Sequence, residues 1–383
     1  MDMTISHQKA TGGASGYLTI DLGALRYNYL MLRGMAPSAI TGAVVKADAY
    51  GLGVDAVAPV LYNAGCRHFF VAHIDEAIAL RFNVASDADI FVLNGLQPGN
   101  ETSCAALNII PVLNSLDQVA QWSAQAAAQG KALPAALQID TGMSRLGLSP
   151  SEVQELRATP DLLSGIELKF IMSHLACADE AEHEVNGLQL AAMRHAAEMF
   201  PDVPVSFANS GGIFLGADYH NALMRPGIAL YGGEPSAGHM KQMKSVIRLD
   251  VAVIQTRTIP AGSIVGYGGT LRTTIETRLA TIAAGYADGL PRSLSNRGAA
   301  YYEGVRLPIA GRVSMDSMCL DISALPEGTL KHGSLVQLIG CQQSLEDIAA
   351  DAGTIAYEIL TGLGHRYRRT YIKSAQHTAN SDR

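Results

Sequence analysis

The sequence predicts an α/β protein in which a (β/α)8 barrel is followed by a second, C-terminal β-rich domain. Eight short apolar stretches recur through the first two thirds of the 383 residues, and a strand buried on both faces reads as just such a continuous run. Between them stand alanine-rich segments with helical spacing, among them "IDEAIALRFNVA" (74–85) and "LDQVAQWSAQAAAQ" (116–129), which makes the alternating pattern of a parallel sheet. After about residue 245 the texture changes to β-branched segments separated by glycine and proline, the pattern of a smaller β domain. The expected division is 17–245 for the barrel, with its first strand a candidate member of the β domain, and 246–383 for the second domain. A doubly wound sheet with extra strands is the alternative to the barrel, and in either fold ligands gather at the carboxyl ends of the strands.

In chain order the expected barrel strands lie in "ITGAVVKA" (40–47), "HFFVAH" (68–73), "DIFVLNG" (89–95), "NIIPVLNS" (108–115), "AALQIDTG" (135–142), "LKFIMSHL" (168–175), "VPVSFANSGG" (203–212) and "IALYGG" (228–233). Lys46, Arg145, His174 and Ser210 fall at or just beyond the ends of such strands. In the second domain "SVIRLDVAVIQTRTIP", "TRLATIAAGY", "GVRLPIAGRVSMDSMCLDIS" and "SLVQLIG" read as strands, and "SLEDIAADAGTIAYEILTGLG" as one or two helices with a glycine stop. The basic tail "HRYRRTYIK" reads as solvated surface or as the edge of a site.

Composition narrows the function classes. Hydrophobic residues make up 48% and charged residues 16% of the chain, a globular balance. With 28 basic and 35 acidic residues the net charge is -7, which gives no basic field for nucleic acid while leaving room for a local anion pocket. Five cysteines, Cys66, Cys104, Cys177, Cys319 and Cys341, form no CxxC pair, so neither a zinc ribbon nor a disulfide framework is expected. The start "MDMTISHQKATGGASG" lacks the basic and apolar regions of an export signal, and no apolar run suits a membrane span. A cytoplasmic protein is expected.

Several residues carry candidate chemistry. Lys46 ends an apolar strand in "GAVVKADAYGLG" (42–53); it either anchors a loop through an ion pair or serves as a Schiff-base lysine for a carbonyl cofactor. Tyr50, four residues on, is a packed aromatic or a neighbour in the same site. "NSGG" (209–212) offers Asn209, the Ser210 hydroxyl and backbone donors suited to phosphate, although such sequences also mark ordinary turns. In "MRPGIALYGG" (224–233) Arg225 precedes proline, and Gly227, followed by Ile228, permits close backbone approach. Arg145 in "DTGMSRLG" (140–147) could clamp a carboxylate or pair with Asp140. His174 is a core histidine, a ligand or a ring against a flat cofactor; its nearest histidine is His183, too far along the chain for metal-site spacing, so no metal is expected. Tyr267, Tyr286, Met315 and Asp316 stand in glycine-flanked loops of the second domain, and a tyrosine near positive charge can accept a proton.

The ordered set "AVVKADAYGLG", "DTGMSRLG", "SHLACAD", "ANSGG", "RPGIALYG", "GYGGT", "GYADGLPR" and "GRVSMD" resembles the alanine racemase family of fold type III pyridoxal 5'-phosphate (PLP) enzymes, from about residue 17 onward. The resemblance implies a Lys46 Schiff base with PLP, and a phosphate held by Tyr50, Ser210, Gly227 and Ile228. It implies Arg225 at the pyridine nitrogen, His174 beside the ring and Arg145 near the substrate carboxylate. It further implies a head-to-tail homodimer in which Tyr267 and the Met315 N–H arrive from the partner subunit, with Tyr286 at the substrate entrance. Two bases, Lys46 for D-alanine and Tyr267 for L-alanine, then move the α-proton of an external aldimine, and D-alanine is supplied for peptidoglycan.

The chain departs from the family pattern at three places. Gln138 stands seven residues before Arg145, where many relatives have a carbamylated lysine; its amide can accept from Arg145 without charge. His365 replaces a phosphate-binding tyrosine, with Tyr367 the other candidate for that contact. Ser314 stands where others have cysteine. A racemase of serine or another small amino acid is the alternative activity, because one extra side-chain group changes binding by only about 1–3 kcal/mol. A non-catalytic PLP-binding barrel leaves the β-rich domain and Tyr267 without a role.

Overall fold

The computed structural model describes residues 13–236 and 242–373. The chain divides into two compact units, one of residues 24–244 and one that joins residues up to 23 with those from 245 onward. Most of the N-terminal stretch considered above for export lies outside the described residues.

The 24–244 unit is an α/β barrel-like domain built on a closed parallel sheet. Strands His68–Val71, Asp89–Val92, Ile109–Leu113, Leu133–Gln138, Ile166–Met172, Val205–Ser206 and Leu223–Met224 pair in chain order. Closure comes from residues 40–44, where Ile40–Thr41 pairs with Leu223–Met224 and Ala43–Val44 pairs with His68–Val71. Gly42 joins these halves at a point where a Cβ would stand 2.9 Å from both the His68 carbonyl oxygen and the Phe70 ring. The halves act as one strand, so eight strands close the sheet. Inside, Phe91 meets Phe70 at 4.9 Å and Phe170 at 4.8 Å between ring centroids; Phe91 and Phe170 come from strands that are not neighbours, so their contact fills the interior.

One expected strand is replaced. "IALYGG" is apolar enough to read as a strand, yet Ile228–Tyr231 forms a 3-10 turn ending at Gly232, and the eighth strand is the two-residue Leu223–Met224. Pro226 explains the difference, because it lacks an N–H for a ladder. The turn wraps the end of the sheet instead, with the Val44 N–H donating to the Pro226 carbonyl at 2.9 Å.

The other unit is β-rich. Its long strand Ile247–Ile259 pairs antiparallel with Gly16–Asp21, Thr277–Ile282 and Leu335–Ile339, and shifts register between Val253 and Gln255, which lets one strand serve several neighbours. Gly16–Asp21 also runs parallel to Arg368–Ile372, so the first strand belongs to this unit. The short pair Ile264–Val265 and Leu271–Arg272 frames Tyr267 and is anchored where Val265, Leu279 and Ala310 pack together. Helix Leu345–Ala352 opens on a capping box in which the Asp347 N–H donates to Ser344 Oγ at 3.1 Å and the Ser344 N–H donates to Asp347 Oδ2 at 2.8 Å. Among the described residues no helix is long and apolar enough to cross a membrane.

Candidate active site

The ladder of the first barrel strand continues through the Val45 N–H, which donates to the Phe70 carbonyl at 2.8 Å, and the chain then enters an unusual turn. Ala47, Asp48, Ala49 and Tyr50 have φ of 54°, 54°, 54° and 56°. Left-handed backbone costs about 1–2 kcal/mol per residue outside glycine, so neighbouring groups must hold it. Ala47 N–H donates to Glu76 Oε1 at 2.6 Å and Val54 N–H to Asp48 Oδ1 at 2.7 Å. Gly51 N–H reaches the Ala47 carbonyl at 2.7 Å. Lys46 stands at the head of this turn and Tyr50 at its end.

Lys46 is half-buried, and its ammonium is lowered below the ordinary lysine range by desolvation, then by Arg145, with Glu76 acting in the opposite sense. A larger share of neutral amine follows, which is the form that attacks carbonyl carbon and accepts protons. Glu76 was not singled out in the sequence. Its only signal there is its place in the first turn of helix Ile74–Arg81, where it also accepts from the N–H groups of Ala72 and His73.

Tyr50 is buried and stacks on Tyr231 with centroids 4.6 Å apart. A Cβ on Gly227 would collide with the Tyr50 hydroxyl, so the backbone there approaches the phenol as only glycine allows. Ser210 Oγ accepts from the Gly227 N–H at 2.8 Å and the Ala229 N–H at 3.3 Å. The Ser210 hydroxyl, the Tyr50 hydroxyl and the backbone at Gly227 therefore converge, a cluster of polar groups of the kind that suits phosphate oxygens. Asn209 plays a supporting part. It caps helix Ser210–Phe214 by accepting from the Gly212 N–H at 2.9 Å, and its amide donates to the Leu175 carbonyl at 3.2 Å.

Arg225 is 3% exposed and donates to Ser206 Oγ and to the Ser173 and Phe207 carbonyls. Burial brings its guanidinium down to about 9, still cationic at neutral pH. His174 is pushed to about 3 by burial and then by Arg225, Arg145 and Lys46, so its ring is neutral at neutral pH. The Ser173 and His174 segment is fastened by Gln189, whose amide donates to Thr141 Oγ1 at 3.1 Å and to the His174 carbonyl at 2.9 Å while accepting from the Ala176 N–H at 2.8 Å. Thr141 and Ser173 share a hydrogen bond of 2.7 Å. Nothing in the sequence pattern marked Gln189, which lies inside an ordinary helix.

Arg145 is exposed on its loop. Asp140 builds that loop by accepting from the N–H groups of Gly142, Met143 and Ser144 through Oδ1 at 2.9, 3.0 and 3.1 Å. Gln138 is buried and donates to the Leu146 carbonyl at 3.2 Å, so it supports the loop through its backbone.

In the β-rich unit Tyr267, Tyr286 and Met315 are large side chains left 72%, 44% and 52% exposed, the opposite of core behaviour. Tyr286 and Met315 belong to adjoining loops, joined by Tyr286 N–H to the Ser314 carbonyl and Ala287 N–H to the Met315 carbonyl, both at 3.0 Å. His365 is exposed, whereas Tyr367 is packed under the first strand with its ring where a Cβ on Gly16 would lie. Burial, followed by the charge of Asp288, raises the Tyr367 phenol above its ordinary range.

Comparison with known proteins follows the same division. The family described as alanine racemase, N-terminal domain, matches residues 20–235, and alanine racemase, C-terminal domain, matches residues 246–371. The catabolic alanine racemase of Agrobacterium fabrum is 72% identical over 381 residues, covering 100% of this chain and 98% of that protein. That of Rhizobium johnstonii is 62% identical, covering 94% and 95%. The crystal structure of alanine racemase from Bartonella henselae with covalently bound pyridoxal phosphate superposes with a TM-score of 0.91 at 45% identity, covering 94% of this chain and 100% of that one.

Proposed function

The chain belongs to the alanine racemase family of fold type III PLP enzymes, and from that premise we propose the residue assignments by which it interconverts L-alanine and D-alanine. PLP is the cofactor. The observation that carries the reading is the meeting of a half-buried lysine of lowered basicity with the Tyr50, Ser210 and Gly227 cradle and a buried arginine in one barrel. This donor set fits the group: an amine for its aldehyde, neutral and backbone donors for its phosphate, and Arg225 for its ring nitrogen. We assign the barrel-like unit, residues 24–244, as a (β/α)8 barrel that serves the cofactor, with the first strand joining the residues from 245 onward in the β domain.

When bound, PLP supplies the electron-withdrawing system that acidifies the amino-acid α-proton. Lys46 holds the cofactor between turnovers and, once released, takes or returns the α-proton on one face. Tyr267 does the same on the opposite face, so each direction uses the other's conjugate acid. Lys46 serves D-alanine and Tyr267 serves L-alanine. Arg145 orients Tyr267 and, with the Met315 N–H, binds the substrate carboxylate. Arg225, as a cation, opposes protonation of the ring nitrogen and thereby weakens the electron sink, which limits transamination and decarboxylation. His174 lies beside the ring, and His365 and Tyr367 remain the two candidates for a further phosphate contact.

The assembly we assign is a cytoplasmic head-to-tail homodimer in which Tyr267 and Met315 of one copy complete the other's site, with Tyr286 at the entrance. The exposure of these three side chains supports it. Two physiological roles follow from one activity. D-alanine for peptidoglycan is the first, and the descriptions of the relatives 72% and 62% identical as catabolic favour alanine degradation as the second. Deletion of the gene separates them: D-alanine auxotrophy supports supply, and loss of growth on alanine without auxotrophy supports degradation.

Tyr267→Phe tests the two-base assignment. It should slow racemisation by about 10²-fold or more, in the range of a lost general acid–base group, while the Lys46–PLP absorbance band stays intact. Near-normal turnover removes Tyr267 from its role.

A further inference from the structure

Arg366 stands at a junction that the assignments above leave unused. Its Nε lies 3.0 Å from Asp288 Oδ1, and its Nη1 lies 2.7 Å from Asp316 Oδ1. Asp288 closes the turn that begins at Tyr286, and Asp316 directly follows Met315. The two carboxylates differ in setting. The Asp288 side chain is only 3% exposed and its Oδ2 also accepts from the Gly285 N–H at 2.9 Å, whereas that of Asp316 is 62% exposed. The loops they belong to already touch, because a Cβ on Gly285 would collide with the Ser314 and Met315 carbonyl oxygens. One guanidinium therefore brackets the Tyr286 loop and the Met315 loop from the side of the C-terminal segment.

We propose that Arg366 is a positioning residue for substrate admission, holding Tyr286 and the Met315 N–H at a fixed separation through its two carboxylate partners. The inference rests on the assignment of Tyr286 to the entrance and of Met315 to the substrate carboxylate. The planar fork of arginine spans two acids at once, whereas a lysine ammonium is a point charge that satisfies Asp288 and leaves Asp316 loose. The exposed Asp316 link contributes little to folding, and the buried Asp288 link anchors the bracket to the unit. Losing the Asp316 link alone frees the Met315 loop without leaving a buried charge unpaired.

The test compares Asp316→Asn, Arg366→Lys and their double variant in the PLP-loaded enzyme with L-alanine, alongside Tyr286→Ala. Each single variant is expected to raise KM by about 3–10-fold with kcat within about twofold and an unchanged cofactor absorbance band, the signature of lost substrate binding. The double variant should be no worse than the worse single, because both break one link. Unchanged KM in both single variants, with KM raised in Tyr286→Ala, overturns the bracket and keeps the entrance assignment. Unchanged KM in Tyr286→Ala overturns the entrance assignment and the bracket with it. Strictly additive effects, or equal losses in kcat and thermal stability without a KM change, also overturn it.

Discussion

Gly227→Ala isolates the cradle. The added methyl projects onto the Tyr50 hydroxyl, with the ring carbon that bears it 3.1 Å away and Val44 Cβ 3.6 Å away. The phenol has little freedom to yield, since its ring is stacked on Tyr231, whose own hydroxyl is fixed to the Val44 carbonyl at 2.9 Å. Overpacking of this kind costs about 1–3 kcal/mol, and each 1.4 kcal/mol is about tenfold in a dissociation constant. Apo-protein titrated with PLP, followed by absorbance, should therefore show binding weakened by roughly 10- to 100-fold. Combining Gly227→Ala with Tyr50→Phe removes the oxygen that the methyl meets. The pair should then bind PLP about as well as Tyr50→Phe alone. An unchanged dissociation constant in Gly227→Ala, or fully additive losses in the pair, refutes the claim that close approach to Tyr50 shapes the phosphate site.

His174 provides a pH signature in the apo-protein. Its folded value of about 3 lies below the ordinary 6.5, so the unfolded chain binds more protons across that interval and stability falls as pH falls through it; His174→Gln should flatten the melting temperature against pH there, and parallel curves would contradict the neutral ring. Gln189→Met keeps the volume of a side chain that is 1% exposed but strands the His174 carbonyl and the Ala176 N–H and leaves the Thr141 hydroxyl with Ser173 alone. Chemical denaturation should show a loss of about 2 kcal/mol or more, given about 1–3 kcal/mol for each unsatisfied buried group, and a loss under half of that would make the network incidental.

The alternation of apolar runs and helical segments was legible because parallel strands covered on both faces need no polar residues. That Ser210 and Gly227 lie together was legible too, since both sit in glycine-bearing loops at strand ends. The turn at Lys46 was not. Residues 47–50 contain no glycine, and their left-handed backbone is imposed by Glu76 and other groups brought in by the fold. The eighth strand escaped for another reason: two residues cannot display a period, while the longer apolar "IALY" beside it could imitate one. Pairing of Gly16–Asp21 with Ile247–Ile259 is a contact across most of the chain, which local pattern can suggest but not specify. Gln189 and Arg366 stayed hidden because a polar side chain on a helix or in a basic tail carries no mark of what it reaches.

Racemisation of single L-amino acids by the purified, PLP-loaded protein, with each D-enantiomer quantified by chiral chromatography, measures the assigned activity most directly. Conversion should be dominated by L-alanine and abolished in Lys46→Ala. Faster conversion of L-serine or of larger substrates would contradict the alanine assignment, and no racemisation despite bound PLP would contradict the assigned chemistry altogether.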